Sequence, residues 1–168
     1  MKERKTIYKW IWAWDFEKEE QWLNEMAKSG WALCAVGFCR YTFEKSEPGE
    51  YVIRLEMHAV DDAYINFMSE TGALYIGRIF QWIYFRKNTE DGLFDIFSDI
   101  DSRINHLDKM GKMMAMIGFA NILIGFANAF DPIHIGVINL LVATLIMYGL
   151  GRIYGKKEAL EKERQLYE

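Results

Sequence analysis

The sequence predicts an α+β protein in which a duplicated strand-helix-strand-strand domain, an antiparallel sheet with its helices on one face, precedes a two-helix transmembrane hairpin. The first observation is the placement of charge. Of 24 acidic and 20 basic residues, only Asp131 lies between Met113 and Gly151. The second is internal similarity, because residues 9–46 align without a gap on residues 51–88. We therefore expect a water-facing domain and a membrane segment in one chain.

The predicted organisation has four parts. Residues 1–92 form the duplicated domain, 93–112 a juxtamembrane amphipathic helix, 113–151 the two spans, and 152–168 a charged tail. A chain of 168 residues builds one compact unit with appendages rather than several independent domains. Cys34 and Cys39 are too few for a disulfide framework and lack metal-ligand spacing, so we expect reduced packing residues.

The duplication is predicted from a shift of 42 residues between the two copies. Similar fixed offsets are how repeated structural units show in a sequence. The identical pairs are Ile11/Ile53, Asn24/Asn66, Met26/Met68, Gly30/Gly72, Phe38/Phe80, Phe43/Phe85 and Lys45/Lys87. Each copy then reads as strand, helix, strand and strand.

In the first copy, Tyr8–Trp14 is rich in strand-forming residues. Asp15 can cap a helix over Phe16–Ser29, which Gly30 can end in the left-handed conformation. The two remaining strands are predicted at Trp31–Phe38 and Cys39–Lys45.

A turn at Glu47–Glu50, with Pro and Gly at its centre, marks the boundary between the copies. In the second copy we expect a strand at Tyr51–His58 and a helix over Asp61–Thr71. The last two strands are predicted at Ala73–Phe80 and Gln81–Lys87.

Side chains alternate along a strand, so the sequence separates two faces of the predicted sheet. One face is apolar and is expected to pack on the helices: Ile11, Ala13, Tyr41, Phe43, Ile53, Leu55, Ile83 and Phe85. The other mixes large aromatic rings with both signs of charge, and its predicted binding residues are Trp10, Trp12, Trp14, Arg40, Glu44, Arg54, Glu56, Trp82, Tyr84 and Arg86.

This second face admits several occupants. Aromatic walls with Glu44 and Glu56 suit a flat cation, whereas the three arginines suit an anion or a partner's carboxylates. A large exposed aromatic patch marks an interaction site. Alternatively, a second copy of the protein or the chain's own later helix closes the face.

The membrane hairpin is predicted from two apolar runs of 18 and 19 residues, Met113–Phe130 and Ile133–Gly151. Each is long enough to cross a hydrocarbon core of about 30 Å. Asp131 and Pro132 form the turn between them. Lys and Arg flank the outer ends of both runs and are absent from the turn, so both termini are expected in the cytoplasm. A buried helical hairpin of a soluble protein is the alternative.

Two helices adjoin the spans. Apolar residues recur at intervals of three and four from Leu93 to Met110, which predicts an amphipathic helix leading into the first span. The tail is expected as a charged helix or a frayed end whose Lys156 and Lys157 lie against anionic lipid.

Motifs for enzymatic chemistry are missing from the sequence. Nucleotide-binding, nucleophile-elbow and zinc-protease signatures do not occur, so we expect no cofactor, no metal and no enzymatic activity. A hydrolase using Glu44 or Glu56 is the low-ranked alternative. Acidic residues outnumber basic ones in the first domain, which argues against direct nucleic-acid binding.

Three blocks, Tyr8–Leu33, Val36–Glu56 and Phe85–Leu107, together resemble the bacterial family named domain of unknown function 2812. The resemblance covers about residues 5–110. It implies a cytoplasmic domain followed by spans in the bacterial cell membrane, with PadR-type transcriptional regulators as possible partners. It supplies no activity and no catalytic residues.

The sequence thus predicts a membrane-anchored, non-enzymatic sensory or regulatory module. Its aromatic and charged sheet face would recognise a small hydrophobic ligand or a regulator protein. The alternative is a homo-oligomeric membrane scaffold in which self-association closes that face.

Overall fold

The computed structural model describes residues 3–59, 61–129 and 135–167, and it confirms the α+β class. The chain divides into two compact units, Met1–Ile96 and Phe97–Glu168. The first unit contains the strands together with two helices, and the second contains two long helices.

The first unit contains two antiparallel three-stranded sheets. Sheet one has the strand order β1-β3-β2, and sheet two has the order β4-β6-β5. The strands are β1 (Arg4–Tyr8), β2 (Trp31–Gly37), β3 (Arg40–Lys45), β4 (Tyr51–Met57), β5 (Leu74–Ile79) and β6 (Trp82–Asn88). The helices are α1 (Phe16–Lys28) and α2 (Asp62–Glu70), and a short 3-10 turn (Ala13–Asp15) precedes α1.

An irregularity in strand pairing recurs in both sheets. Irregularities in strand pairing fall between Leu33 and Ala35 in one sheet and between Tyr75 and Gly77 in the other. These positions are 42 residues apart, as in the sequence alignment. Gly30 ends α1 with φ +79°, and a Cβ there would also lie 3.0 Å from the Ser46 carbonyl oxygen. The duplication of the sequence itself stays a prediction.

The predicted first strand, Tyr8–Trp14, is wrong. β1 is Arg4–Tyr8, and it pairs along β3 from Arg4 opposite Glu44 to Tyr8 opposite Arg40. Because β3 begins at Arg40, residues beyond Tyr8 have no strand opposite them, and only the Lys9 amide continues the ladder, donating to the Cys39 carbonyl at 3.1 Å. The three tryptophans that follow therefore lie outside the sheet.

Burial tests the predicted apolar face of the strands. Its six members on β3, β4 and β6 are buried, with exposures of 3% or less: Tyr41, Phe43, Ile53, Leu55, Ile83 and Phe85. In sheet two, however, Ile53 lies opposite Arg86, and Phe85 lies opposite Arg54. Because residues directly opposite each other share a face, the prediction of a single apolar face is wrong there, and both faces of this sheet carry buried apolar side chains. The prediction is wrong for Ile11, which is half-buried, and for Ala13, which is exposed. Both lie in the segment that leaves the sheet, where strand alternation no longer sorts side chains.

Helix α1 packs on sheet one and also borders sheet two. The Trp22 ring meets the rings of Tyr41 and Phe43 edge-on, at centroid distances of 5.0 and 5.7 Å. Asn24 accepts from the Ile53 amide and donates to the Ile53 carbonyl, both at 2.9 Å. Helix α1 thereby covers an edge of β4 whose backbone groups would otherwise need water.

Helix α2 packs on sheet two. Its Met68 belongs to an apolar cluster with Ala73, Ile83, Phe85 and Phe94. The Asp61 carboxylate accepts from the Ala63 amide at 2.9 Å and caps the helix, which confirms the predicted helix to within one residue at each end.

The second unit consists of α3 (Ile100–Ala127) and α4 (Ile135–Tyr167). The predicted helix start at Leu93 is wrong, because residues 93–99 are not helical. A capping box fixes the start instead: Asp99 accepts from the Ser102 amide at 2.7 Å, and the Ser102 hydroxyl lies 3.3 Å from the Asp99 amide. Helix α4 continues through the charged tail.

Small residues bring α3 and α4 together. A Cβ on Gly125 would lie 2.8 Å from the Leu140 side chain, and one on Gly118 would lie 2.6 Å from Met147 Cε. The amides of Asn121, Asn128 and Asn139 donate to carbonyls four residues earlier on their own helices. The predicted turn at Asp131 and Pro132 lies outside the described residues.

Candidate ligand-binding site

Three tryptophans follow one another at alternate positions between β1 and α1. The rings of Trp12 and Trp14 are stacked, with centroids 4.8 Å apart and planes at 6°. Trp10 meets Trp12 edge-on at 5.1 Å. Exposure falls from 56% at Trp10 through 38% at Trp12 to 6% at Trp14, so the stack runs from solvent into the protein.

Two hairpin tips extend this aromatic surface. Phe38 ends the β2–β3 hairpin and Phe80 the β5–β6 hairpin, and their rings meet edge-on at 6.2 Å. Phe38 also contacts Trp10 at 5.7 Å. Both phenylalanines are exposed, at 65% and 79%, although such rings are normally buried.

These rings border a cavity of about 260 Å³ in the first unit. It is lined by Lys9, Trp10, Ile11, Trp12, Ala13, Trp14, Glu19, Phe38, Cys39, Tyr41, Ile79, Phe80, Trp82 and Tyr84. The volume is slightly below the range of about 300–1,000 Å³ typical of small-molecule sites. We call this cavity the aromatic cavity.

Glu19 of α1 is the acidic residue of the aromatic cavity. Its carboxylate oxygen Oε1 accepts hydrogen bonds from the hydroxyls of Tyr41, at 2.8 Å, and Tyr84, at 2.7 Å. Glu19 is 7% exposed. The buried carboxyl group of α1 thus binds a tyrosine from β3 of sheet one and a tyrosine from β6 of sheet two.

The electrostatics of this group follow from its burial. Desolvation raises the pKa of Glu19 above its ordinary value of 4.5, while the two hydroxyls and the positive charge of Lys9 act in the opposite direction. Desolvation and the neighbouring negative charge of Glu19 also raise the pKa of Tyr41 and of Tyr84, so both phenols stay protonated as donors.

Lys9 is the basic residue of the cavity lining. Its ammonium nitrogen lies 4.1 Å from the centroid of the Trp22 ring, a cation–π contact. The ring face therefore holds the ammonium group, and the side chain is half-buried.

The structure brings together the aromatic half of the predicted binding residues. Trp10, Trp12, Trp14, Trp82 and Tyr84 all line the aromatic cavity. The prediction that one open sheet face presents them is wrong, because the first three lie outside any strand. Tyr84 is only 2% exposed, and its hydroxyl donates a hydrogen bond to Glu19 of α1. Helix α1 therefore closes this part of the predicted face.

The charged half of the prediction is dispersed. Glu44 and Glu56, which were expected on one face of one sheet, lie on strands of different sheets. Glu44 pairs with Arg86 at 2.9 Å, and Glu56 accepts a hydrogen bond from the Tyr64 hydroxyl. Each of these two carboxylates thus has its own partner in the fold.

The arginines expected to bind an anion also lie apart. Arg86 donates to the Leu33 carbonyl at 2.9 Å in addition to its Glu44 pair. Arg54 pairs with Glu20 of α1 at 3.3 Å. Arg40 is exposed at the start of β3. Two of the three arginines thus stabilise the fold rather than converge on one site.

Sequence reasoning missed nine of the fourteen lining residues, among them the charged residues Lys9 and Glu19 and the aromatic residues Tyr41, Phe38 and Phe80. The two phenylalanines gave a signal, since both are identical in the alignment and lie at predicted strand ends. Glu19 gave no such signal in the sequence, because its partner Tyr84 is 65 residues away and only the folded chain brings the two side chains together.

Metal binding finds no support in the described part of the chain. Among residues 3–59, 61–129 and 135–167, no group of three or more His, Cys, Asp or Glu side chains is placed to hold an ion. Cys34 and Cys39 are free thiols.

These features define an α+β domain with an aromatic cavity over a buried carboxyl group, joined in one chain to two long apolar helices. Residues 15–119 match the family described as Protein of unknown function (DUF2812), and the chain belongs to that family. Comparisons with curated proteins and with solved structures give no match.

Proposed function

We propose that this protein is a membrane-anchored, non-enzymatic binding module that takes a small hydrophobic molecule into the aromatic cavity. The observation that carries the proposal is the convergence of Trp10, Trp12, Trp82 and the Phe38 and Phe80 rings on one cavity. Cavities with mostly apolar walls and a few polar groups are typical of small-molecule sites.

Membrane anchoring is supported by the surfaces of α3 and α4. Both helices are long and apolar enough to span a bilayer, and only 28% and 17% of their most apolar stretches is buried. Exposed apolar side chains such as Phe119, Ile138 and Leu141 would be costly in water. We propose the bacterial cell membrane, with the basic flanks at Lys112 and Arg152 placing both termini in the cytoplasm.

A regulatory role would follow from ligand binding near the cavity mouth. The exposed tips Phe38 and Phe80 border the cavity, so an occupant can alter the surface that they offer to a partner protein. We propose a PadR-type regulator as that partner, with no direct contact between this chain and nucleic acid.

The second candidate function is a homo-oligomeric membrane scaffold. Exposed rings at Tyr8, Phe38 and Phe80 favour it, because a second copy could cover them. In that case, substitution of the cavity tryptophans would disperse an oligomer rather than abolish binding of a small molecule.

The test replaces Trp12 or Trp82 with Ala in the full-length protein, purified in detergent. Binding of quinoline, a neutral bicyclic probe, is measured by equilibrium dialysis at mildly alkaline pH. We expect each substitution to weaken binding at least tenfold, because each removes one aromatic wall. Native mass spectrometry of the same samples reports the oligomeric state and any small molecule that copurifies.

Trp31→Ala is the matched control, because Trp31 on β2 lies under the ammonium groups of Lys5 and Lys45 and does not line the cavity. It should leave probe binding unchanged. Equal probe binding by wild type, Trp12→Ala and Trp82→Ala would refute the proposed ligand site. Loss of an oligomer in these variants, without any probe binding by wild type, would instead support the scaffold.

A further inference from the structure

The aromatic cavity contains one side chain that a purely apolar ligand does not require. Glu19 is buried among rings, and both tyrosine hydroxyls donate to the same oxygen, Oε1. The carboxyl group lines the cavity and is 7% exposed. An ionised carboxylate with so little access to water is costly unless an opposite charge reaches it.

We infer that the ligand is an organic cation, with an aromatic or quaternary nitrogen, and that the Glu19 carboxylate is its counter-ion. This inference rests on the proposed function and names the ligand class for the same site. Tyr41 and Tyr84 hold the carboxylate in place, and the tryptophans form the walls.

The walls favour a cation independently of Glu19. The faces of indole and phenyl rings carry negative electrostatic potential, so they attract a cation that lies over them, most strongly when it is removed from water. Trp10, Trp12 and Trp82, with Phe38 and Phe80, place several such rings around one cavity. An anion would be repelled by both the rings and the carboxylate.

Lys9 is the competing positive charge. It lies in the cavity lining and lowers the pKa of Glu19. Its ammonium group lies over the Trp22 ring, 4.1 Å from the ring centroid, and acts on Glu19 through its charge. Removing this charge while keeping a polar side chain should therefore strengthen binding of an external cation.

The experiment compares two probes of nearly equal shape, N-methylquinolinium as the cation and quinoline as the neutral molecule. Binding to the full-length protein in detergent is measured by equilibrium dialysis at mildly alkaline pH. Wild type should bind the cation at least tenfold more tightly than the neutral probe. Glu19→Gln should abolish this preference, and Lys9→Gln should increase the affinity for the cation several-fold.

Glu17→Gln is the matched control, because Glu17 lies on the same helix and is exposed. It should bind both probes as wild type does. Glutamine at position 19 can still accept from both tyrosines, and near-ultraviolet circular dichroism should show native packing. If Glu19→Gln fails this check, Tyr84→Phe, which keeps the ring, replaces it and should weaken cation binding at least threefold.

A pH series adds a second readout. Protonation of Glu19 removes the counter-ion, so affinity for the cation should fall as the pH is lowered through the pKa of Glu19, which burial raises. Tyr41 and Tyr84 face Glu19 and keep their protons over this range, because burial raises the pKa of both phenols. Among the described residues, Lys9 is the other charged group that acts on Glu19. Glu19→Gln should show no such dependence.

The two proposals fail differently. Equal affinity of wild type for both probes, with loss of both in Trp12→Ala, would overturn the cation inference and leave the proposed function in place. Cation binding that persists in Glu19→Gln would do the same. Absence of binding by either probe at millimolar concentration, or binding indifferent to Trp12→Ala, would overturn both proposals.

Discussion

At the scale of single residues, Asn24 shows how a helix completes a sheet. Its side-chain amide donates to the Ile53 carbonyl, and its oxygen accepts from the Ile53 amide. The neighbouring Glu20 accepts from the Leu55 amide at 3.2 Å. Helix α1 thereby replaces the strand that would otherwise lie along β4 and prevents edge-to-edge association there.

We expect Asn24→Ala to destabilise the protein by about 1–3 kcal/mol, because it leaves the part-buried Ile53 amide without its acceptor. The Ile53 carbonyl keeps a hydrogen bond from the Arg54 guanidinium at 3.2 Å. Thermal unfolding followed by tryptophan fluorescence in detergent would measure this change in stability. Asn66→Ala, at the aligned position on exposed α2, is the control and should change stability by less than about 0.5 kcal/mol. Equal effects of the two substitutions would show that the Asn24 bonds contribute nothing.

The tryptophans were predicted as binding residues from strand alternation, and they do share one cavity although they do not lie in a strand. Trp12 has φ −75° and ψ 142°, an extended conformation. Alternate side chains of extended backbone point to the same side with or without a paired strand. The period of two was therefore informative, whereas the hydrogen bonding of the segment was not predictable from it.

At the scale of elements, caps and glycines decide where helices begin and how they pack. The capping box of Asp99 and Ser102 starts α3 at Ile100, while Phe94, which lies within the range of the predicted helix, packs instead with Ile83 and Phe85 of the first unit. Apolar spacing alone could not separate these two uses, because both bury residues at similar intervals.

Gly125 is the sharpest test of the contact between α3 and α4. In Gly125→Ala, the new Cβ would lie 2.8 Å from Leu140 Cγ and 3.2 Å from the Gly136 carbonyl oxygen. We expect a loss of about 1–3 kcal/mol from overpacking, measured as a lower midpoint of thermal unfolding in detergent.

The control for that substitution is Gly151→Ala on α4, where no atom lies within 4 Å of the added Cβ. It should stabilise the helix by up to about 1 kcal/mol, since alanine is the better helix former. If Gly125→Ala also stabilises the protein, then α3 and α4 do not pack closely in solution.

At the scale of the whole molecule, the two units differ in how much apolar surface they expose. The first unit buries an apolar core between its sheets and helices, whereas the second exposes most of the apolar surface of its two helices. A charge placed in that surface tests the proposed membrane anchor directly. We expect Leu141→Arg to weaken insertion by about 2.5–3.5 kcal/mol. Carbonate extraction of membranes should then release more of the protein than it does for wild type.

Leu166→Arg provides the comparison for that variant. Leu166 is 84% exposed in the charged tail of α4, and the change should leave membrane retention as in wild type. Complete release of the wild-type protein by carbonate, or complete retention of the Leu141→Arg variant, would contradict the proposed membrane anchor.

The sequence by itself determined the α+β class, the positions of five of the six strands, the core residues of β3, β4 and β6, and the two apolar helices. These depend on local periodicity, capping residues and apolar length, which the order of residues carries directly. It also selected the tryptophans of the cavity.

Only the tertiary structure decided where β1 ends, how the charged residues pair, and that Glu19 lies beneath the rings. Each depends on partners far apart in the chain: β1 stops where β3 begins, Arg86 finds Glu44 across two sheets, and Tyr84 reaches a carboxylate 65 residues away. Such contacts form only when the sheets and α1 have packed. A local sequence pattern does not show which residues of different strands and helices will meet.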